Sequence, residues 1–137
     1  MKKIVALVAF SFLAFVSCKQ DVKNTETTTS VETKKEIAMV KTIALEQTSG
    51  EFNTKELTLE AGTYVFKIAN KDVDHEVGFV LAPKGKTDQA NHIKAAYVKT
   101  PVPTGSYSLT NEVALTKGEY VYFCPLNPTP EYTLTVK

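Results

Sequence analysis

Two side chains in this sequence are of the types that hold soft metal ions, the thiol of Cys124 and the imidazole of His75. Thiolate and imidazole are ligands that copper favours in proteins. If a metal binds here, we expect Cys124 to ligate as thiolate and His75 as neutral imidazole. Asn127 and Glu131, in the proline-rich segment that follows the cysteine, are weaker candidate ligands through oxygen.

Each of these residues also has an interpretation without metal. A single cysteine on a strand is most often a small buried hydrophobic residue. His75 is equally compatible with a structural histidine that donates to a backbone carbonyl. His92, beside Asn91, is predicted to be solvated, although its imidazole is a further conceivable ligand.

Other chemistries find no support in the sequence. The chain has no glycine-rich phosphate loop, no Cys-x-x-Cys and no Gly-x-Ser-x-Gly motif, and Asp72 and Asp74 fit a turn better than a catalytic carboxylate pair. The net charge is +1 and all 16 basic residues are lysines, which gives no indication of a nucleic-acid partner. We therefore predict that the protein is not an enzyme.

The first 17 residues are predicted to be a lipoprotein signal peptide. Two lysines precede the apolar run 4–16, which is shorter than the roughly 20 residues that a membrane-spanning helix needs. The segment 15–18, Phe-Val-Ser-Cys, resembles bacterial lipoprotein signals, in which the cysteine is lipidated and becomes the first mature residue. The resemblance implies lipidation of Cys18; the alternative is an ordinary signal peptide cut near this point.

Residues 18–36 are predicted to be a flexible tether, because this Thr-, Lys- and Glu-rich segment has too few apolar side chains to offset its ordering entropy. The folded domain is then 37–137. Lipidation of Cys18 would anchor it to a membrane of the bacterial cell envelope, facing the periplasm or exposed at the surface. Cys124 would have no partner for an intrachain disulfide.

The domain is predicted to be an all-β sandwich of antiparallel strands. β-branched and aromatic residues recur between turn signals, with alternating polarity in several runs. The predicted strands are 40–46, 56–60, 63–69, 75–81, one or two within 106–115, 119–124 and 132–136.

One stretch lacks this alternation. Ala90, Ile93, Ala96 and Tyr97 share one face at helical spacing, and Thr87 can cap the turn before them. The pattern predicts one short helix around 88–98.

The domain resembles the cupredoxin family over residues 50–137. The resemblance rests on the turn Lys117-Gly118-Glu119-Tyr120, on Phe123-Cys124-Pro125 before the last strand, on His75, and on a run with Phe52, Leu57, Leu59, Ala61, Gly62, Tyr64, Phe66, Ile68 and Asn70. It implies a Greek-key β-sandwich and a role related to copper binding or electron transfer. In cupredoxins a type 1 copper is held by two imidazoles, a thiolate and a weak axial thioether.

Two of these four ligands are missing from the matching positions. The second histidine is expected three residues after the cysteine, where this chain has Asn127, and no methionine occupies 130–132, where the axial ligand is expected. The resemblance therefore implies an incomplete type 1 site, with copper weak or absent. The alternative is a metal-free interaction or structural module whose loop 125–131 contacts a partner protein. If one lost imidazole alone disables the site, Asn127→His should raise copper affinity.

Overall fold

A computed structural model describes residues 39–137, so the predicted signal peptide, Cys18, the tether and the first two residues of the predicted domain lie outside the described part. Within residues 39–137, nine strands form two sheets, which confirms the predicted all-β sandwich. The strands are β1 Lys41–Thr48, β2 Glu51–Phe52, β3 Glu56–Leu59, β4 Gly62–Asn70, β5 Val80–Pro83, β6 Tyr107–Leu109, β7 Val113–Leu115, β8 Gly118–Phe123 and β9 Tyr132–Val136.

The first sheet has the order β2-β1-β4, with β6 and β7 pairing different parts of β4. The second sheet has the order β3-β9-β8-β5. The pairs β1–β4 and β3–β9 are parallel, whereas the remaining pairs are antiparallel. The sheets are thus mixed and not wholly antiparallel as predicted, because the chain passes through the other sheet between the two strands of each parallel pair.

The core lies between the two sheets. On β4, Tyr64, Phe66 and Ile68 point inward and are at most 2% exposed, while Val65 and Lys67 face outward. An aromatic cluster fills the centre, with ring centroids 5.2–6.2 Å apart. Its members, here called the aromatic core, are Phe52, Phe66, Phe79, Tyr122 and Tyr132.

The predicted single helix around 88–98 is wrong. The segment forms two single 3-10 turns, Gln89–Asn91 and Lys94–Ala96, and Asp88 rather than Thr87 precedes the first of them, without a side-chain cap. Ile93 is extended, and its backbone N–H donates to the carbonyl of Leu81 on β5 at 2.8 Å. This hydrogen bond to the edge strand of the second sheet uses the N–H group of Ile93, which in a continuous helix would bond to a carbonyl within the helix.

The predicted strand 75–81 begins later than expected. β5 starts at Val80, and before it only Val77 makes an isolated antiparallel bridge, to Val102. His75 therefore lies on a loop and not at the start of a strand. Within residues 39–137, no helix has the length and apolar character needed to cross a membrane.

Candidate functional site at the Cys124 pole

Cys124 directly follows β8 and is 1% exposed, which agrees with the interpretation as a small buried residue. Its sulfur accepts two backbone hydrogen bonds, from the N–H of Gly78 and the N–H of Asn127, each at 3.2 Å. Its own N–H donates to the hydroxyl of Thr129 at 2.9 Å. The loop 125–131, here called the pole loop, is thus folded around the thiol, and the two N–H donors stabilise electron density on the sulfur.

Asn127 is buried within the pole loop, at 2% exposure. Its Oδ1 accepts the backbone N–H of Gly50 at 2.8 Å. Its Nδ2 donates to the carbonyl of Thr48 at 2.9 Å and to Oε1 of Gln47 at 3.1 Å. The oxygen predicted as a weak metal ligand is therefore engaged by the turn between β1 and β2.

Gln47 completes a closed set of hydrogen bonds. It is fully buried, and its Nε2 donates to the carbonyl of Gly78 at 2.7 Å. Gly78, Cys124, Asn127 and Gln47 therefore form a cycle, here called the polar ring. Throughout residues 39–137, every buried side-chain nitrogen and oxygen has a partner. The sequence reasoning did not identify Gln47; its position two residues after the inward-facing Leu45 on β1 was the available signal.

His75 contacts the pole loop from outside. Its Nε2 lies 2.9 Å from the carbonyl oxygen of Leu126, which agrees with the interpretation as a structural histidine. Its Nδ1 lies 2.7 Å from a carboxylate oxygen of Asp74. Because both neighbours are acceptors, the doubly protonated ring suits them best. The hydrogen bond to Asp74, and next that to Leu126, raise the pKa of His75 above its usual 6.5.

Glu131 and His92, the other candidate ligands, do not belong to the polar ring. Glu131 is exposed at the end of the pole loop. The predicted solvation of His92 is wrong, since its ring is half-buried against Phe123 and both nitrogens are bonded, to the hydroxyl of Tyr97 at 2.8 Å and the carbonyl of Thr87 at 2.9 Å. Nowhere within the described residues do three or more His, Cys, Asp or Glu side chains converge as a metal would require.

An apolar groove of about 470 Å³ lies beside the pole loop. Phe79, Val98, Pro101, Pro125 and Leu126 line it. Leu126 is 51% exposed. Because Pro125 and Leu126 directly follow Cys124 in the chain, the groove borders the loop that begins after the buried thiol.

Solved structures similar to this chain include blue copper proteins. Auracyanin A, a "blue" copper protein from Chloroflexus aurantiacus, matches with a TM-score of 0.60 and 17% identity over 72% of this chain and 100% of its own. Auracyanin B matches with a TM-score of 0.57 and 18% identity over 75% and 92% of the two chains. An azurin of Methylomonas sp. strain J matches with a TM-score of 0.54 and 14% identity over 71% and 98%.

Residues 39–137 form a cupredoxin-like domain. No protein-family model and no curated protein sequence matches the chain. At identities below 20% the structural matches show the fold alone, which confirms the fold implied by the sequence resemblance. Within this cupredoxin-like domain the pole loop brings Cys124, Asn127 and the backbone contact of His75 together, and leaves Glu131 at the surface. The assignment of these residues as metal ligands stays a prediction.

Proposed function

We propose that this chain is a lipid-anchored cupredoxin-like protein of the bacterial cell envelope, related in fold to copper electron-transfer proteins but built to bind a partner protein at its Cys124 pole. In this proposal the polar ring takes the structural place of a type 1 copper centre. The orientation of Asn127 carries the proposal, because its side-chain amide bonds the β1–β2 turn at the position where the family has a ligand.

The donor set at the pole does not fit a type 1 copper ion. Such a centre takes most of its binding energy from two imidazoles and a thiolate. Here one imidazole is replaced by an amide whose two polar atoms are both engaged in hydrogen bonds. The ring of His75 is bonded through both nitrogens, so a metal would have to displace one of these contacts.

The apolar groove supports the binding of a partner protein. Its lining is dominated by proline, aliphatic and aromatic side chains, and Leu126 is exposed beside it. Three prolines and the contacts to Cys124, Asn127 and His75 fix the loop that carries Leu126. A preorganised apolar loop loses little entropy on binding, so we expect the partner to insert an aliphatic or aromatic side chain here.

Copper titration tests the first half of the proposal. The purified protein is mixed with Cu(II) and with Cu(I), and visible absorption, native mass and thermal stability are recorded. We expect no copper to bind, and therefore neither an intense blue band nor a change in thermal stability. A ligand that binds only the folded state would raise that stability. A blue band with a mass increase of one copper would overturn the metal-free assignment.

A second candidate function is weak Cu(I) binding by Cys124 and His75. It is favoured by one observation, the contact of 2.9 Å that brings the imidazole to the loop starting at the cysteine. One bound Cu(I) without a blue band, lost in both Cys124→Ser and His75→Gln, would establish this candidate in place of the metal-free one.

Site-specific photo-crosslinking tests partner binding. A photoreactive phenylalanine analogue is placed at position 126 in cells of the native host, and at position 86, an exposed lysine beyond β5, as the control. We expect a discrete protein adduct from position 126 alone. The same adducts from both positions, or none from position 126, would contradict a docking role for the groove.

A further inference from the structure

The outer face of the first sheet carries a trough of about 360 Å³ centred on Ala69. The strand register places Glu46 on one side of this alanine and Tyr107 on the other. Lys67 and Lys71 lie two residues before and after it along the chain. Since side chains two apart on a strand share a face, the small alanine leaves a depression walled by one carboxylate, one aromatic ring and two ammonium groups.

The groups around the trough are available to a ligand. Tyr107 is 61% exposed, and the Lys67 ammonium lies 4.1 Å from its ring centroid, so the ring has one cation beside it and much of its surface in solvent. Lys71 is exposed. The ion pairs among residues 39–137 involve other residues, so neither Lys67 nor Lys71 is paired with a carboxylate there. Glu46 accepts one hydrogen bond, from the side chain of Asn53 at 3.1 Å.

We infer that this trough binds an acidic saccharide, a hexuronate unit of a polysaccharide. The exposed surface of the Tyr107 ring packs against the C–H face of the pyranose ring. The two lysines bind the sugar carboxylate through charge-assisted hydrogen bonds. Glu46 accepts a hydrogen bond from a ring hydroxyl.

This ligand class uses all four walls of the trough. A small inorganic anion would engage the lysines and leave Tyr107 and Glu46 unused. A neutral sugar would leave two ammonium groups facing one carboxylate, with an uncompensated positive charge. The volume of the trough lies near the lower end of the ~300–1,000 Å³ typical of ligand pockets, which suits one or two sugar units.

Calorimetric titration of the full-length protein with trigalacturonate tests the inference, with galactotriose as the neutral match and citrate as the non-sugar anion. We expect trigalacturonate to bind about tenfold more tightly than either control, and its affinity to fall as salt screens the lysines. Equal affinity for galactotriose would exclude the role of the lysines. Equal affinity for citrate would show a simple anion site, and absence of binding at millimolar trigalacturonate would also overturn the inference.

Two exposed substitutions locate the site. Tyr107→Ala and Lys71→Gln should each weaken trigalacturonate binding by about tenfold, whereas Lys86→Gln, which removes an exposed lysine outside the trough, should leave it unchanged. Unaltered thermal stability would confirm that both variants are folded. Equal losses in all three variants would indicate nonspecific attraction to positive charge and would contradict a built site.

Discussion

The aromatic core, apart from the partly buried Tyr132, and the polar ring are both buried but are stabilised by different interactions. The core joins the two sheets chiefly by burying apolar area, a non-directional stabilisation, to which the edge-on and tilted ring contacts add. The ring joins β1, Gly78 and the pole loop through hydrogen bonds whose geometry admits few substitutions. Directional hydrogen bonds from Gln47 and Asn127 thus order the pole loop of this cupredoxin-like domain.

The largest effect is expected in the aromatic core. Phe52 is fully buried against Phe79, Tyr122 and Tyr132. Phe52→Ala should lower the free energy of unfolding by ~3–5 kcal/mol, because it removes apolar burial and leaves a cavity. Chemical denaturation measures this loss. Tyr107→Ala, the control on an exposed ring, should cost less than ~1 kcal/mol, and a comparable cost for both would refute the central role of the core.

A smaller loss is expected in the polar ring. Asn127→Ala removes three side-chain hydrogen bonds and leaves the buried amide of Gln47 short of a partner, so we expect a loss of about 2–3 kcal/mol. Asn127→His should be destabilised as well and should gain no copper affinity, because the side chain at this position faces the β1–β2 turn. Urea denaturation and copper titration of both variants provide the measurements. Tight copper binding by Asn127→His would show instead that a single histidine is enough to turn the polar ring into a copper site.

The same two regions differ in how far the sequence predicts them. Alternation within β4 indicates which side chains point inward, since Tyr64, Phe66 and Ile68 are apolar at a period of two. The bond between Gln47 and Asn127 joins positions 80 residues apart, and no local pattern encodes it. At Ile93 a local pattern exists but misleads. The apolar residues around it have helical spacing, yet the hydrogen bond from its N–H to the carbonyl of Leu81 on β5 outweighs the local helix propensity.

Tyr122 links the two kinds of stabilisation and leads to a prediction at alkaline pH. Its ring is in the aromatic core, and its hydroxyl donates to the carbonyl of Thr54 at 2.6 Å. Burial, with smaller contributions from Tyr132 and Glu56, raises the pKa of Tyr122 to about 12. The unfolded chain releases this proton near pH 10 while the folded chain keeps it, so stability should fall as pH rises from 10 towards 12.

Tyr122→Phe isolates this effect. The variant should lose about 1 kcal/mol at neutral pH, from one hydrogen bond, and should show a shallower fall in stability above pH 10. Denaturation at a series of pH values compares the two proteins, and an ultraviolet titration follows the phenol directly. An identical alkaline fall in both proteins would assign the effect to other tyrosines.

The smallest effect is expected at the surface of the pole, where His75 joins Asp74 to the pole loop. The pKa of His75 is raised in the folded state, so its contribution is fully present below the unfolded value near 6.5 and is lost as pH rises through the higher folded value. An NMR titration of the imidazole should give a pKa above 6.5 in the native protein. Asp74→Asn should move that pKa back towards the usual value, because the carboxylate is the largest cause of the shift.

His75→Gln tests whether this contact helps to hold the loop. The variant should lose the contribution of His75 to the pH dependence of stability just above pH 6.5 while keeping the buried bonds of Cys124 and Asn127, since these do not pass through the imidazole. Hydrogen exchange at the Asn127 amide, which donates to the Cys124 sulfur, reports on the ring directly. Unchanged protection of the Asn127 amide would show that the exposed contact of His75 is not needed to order the polar ring. A large increase in exchange would mean that the imidazole, and not the buried amides, holds the pole loop in place.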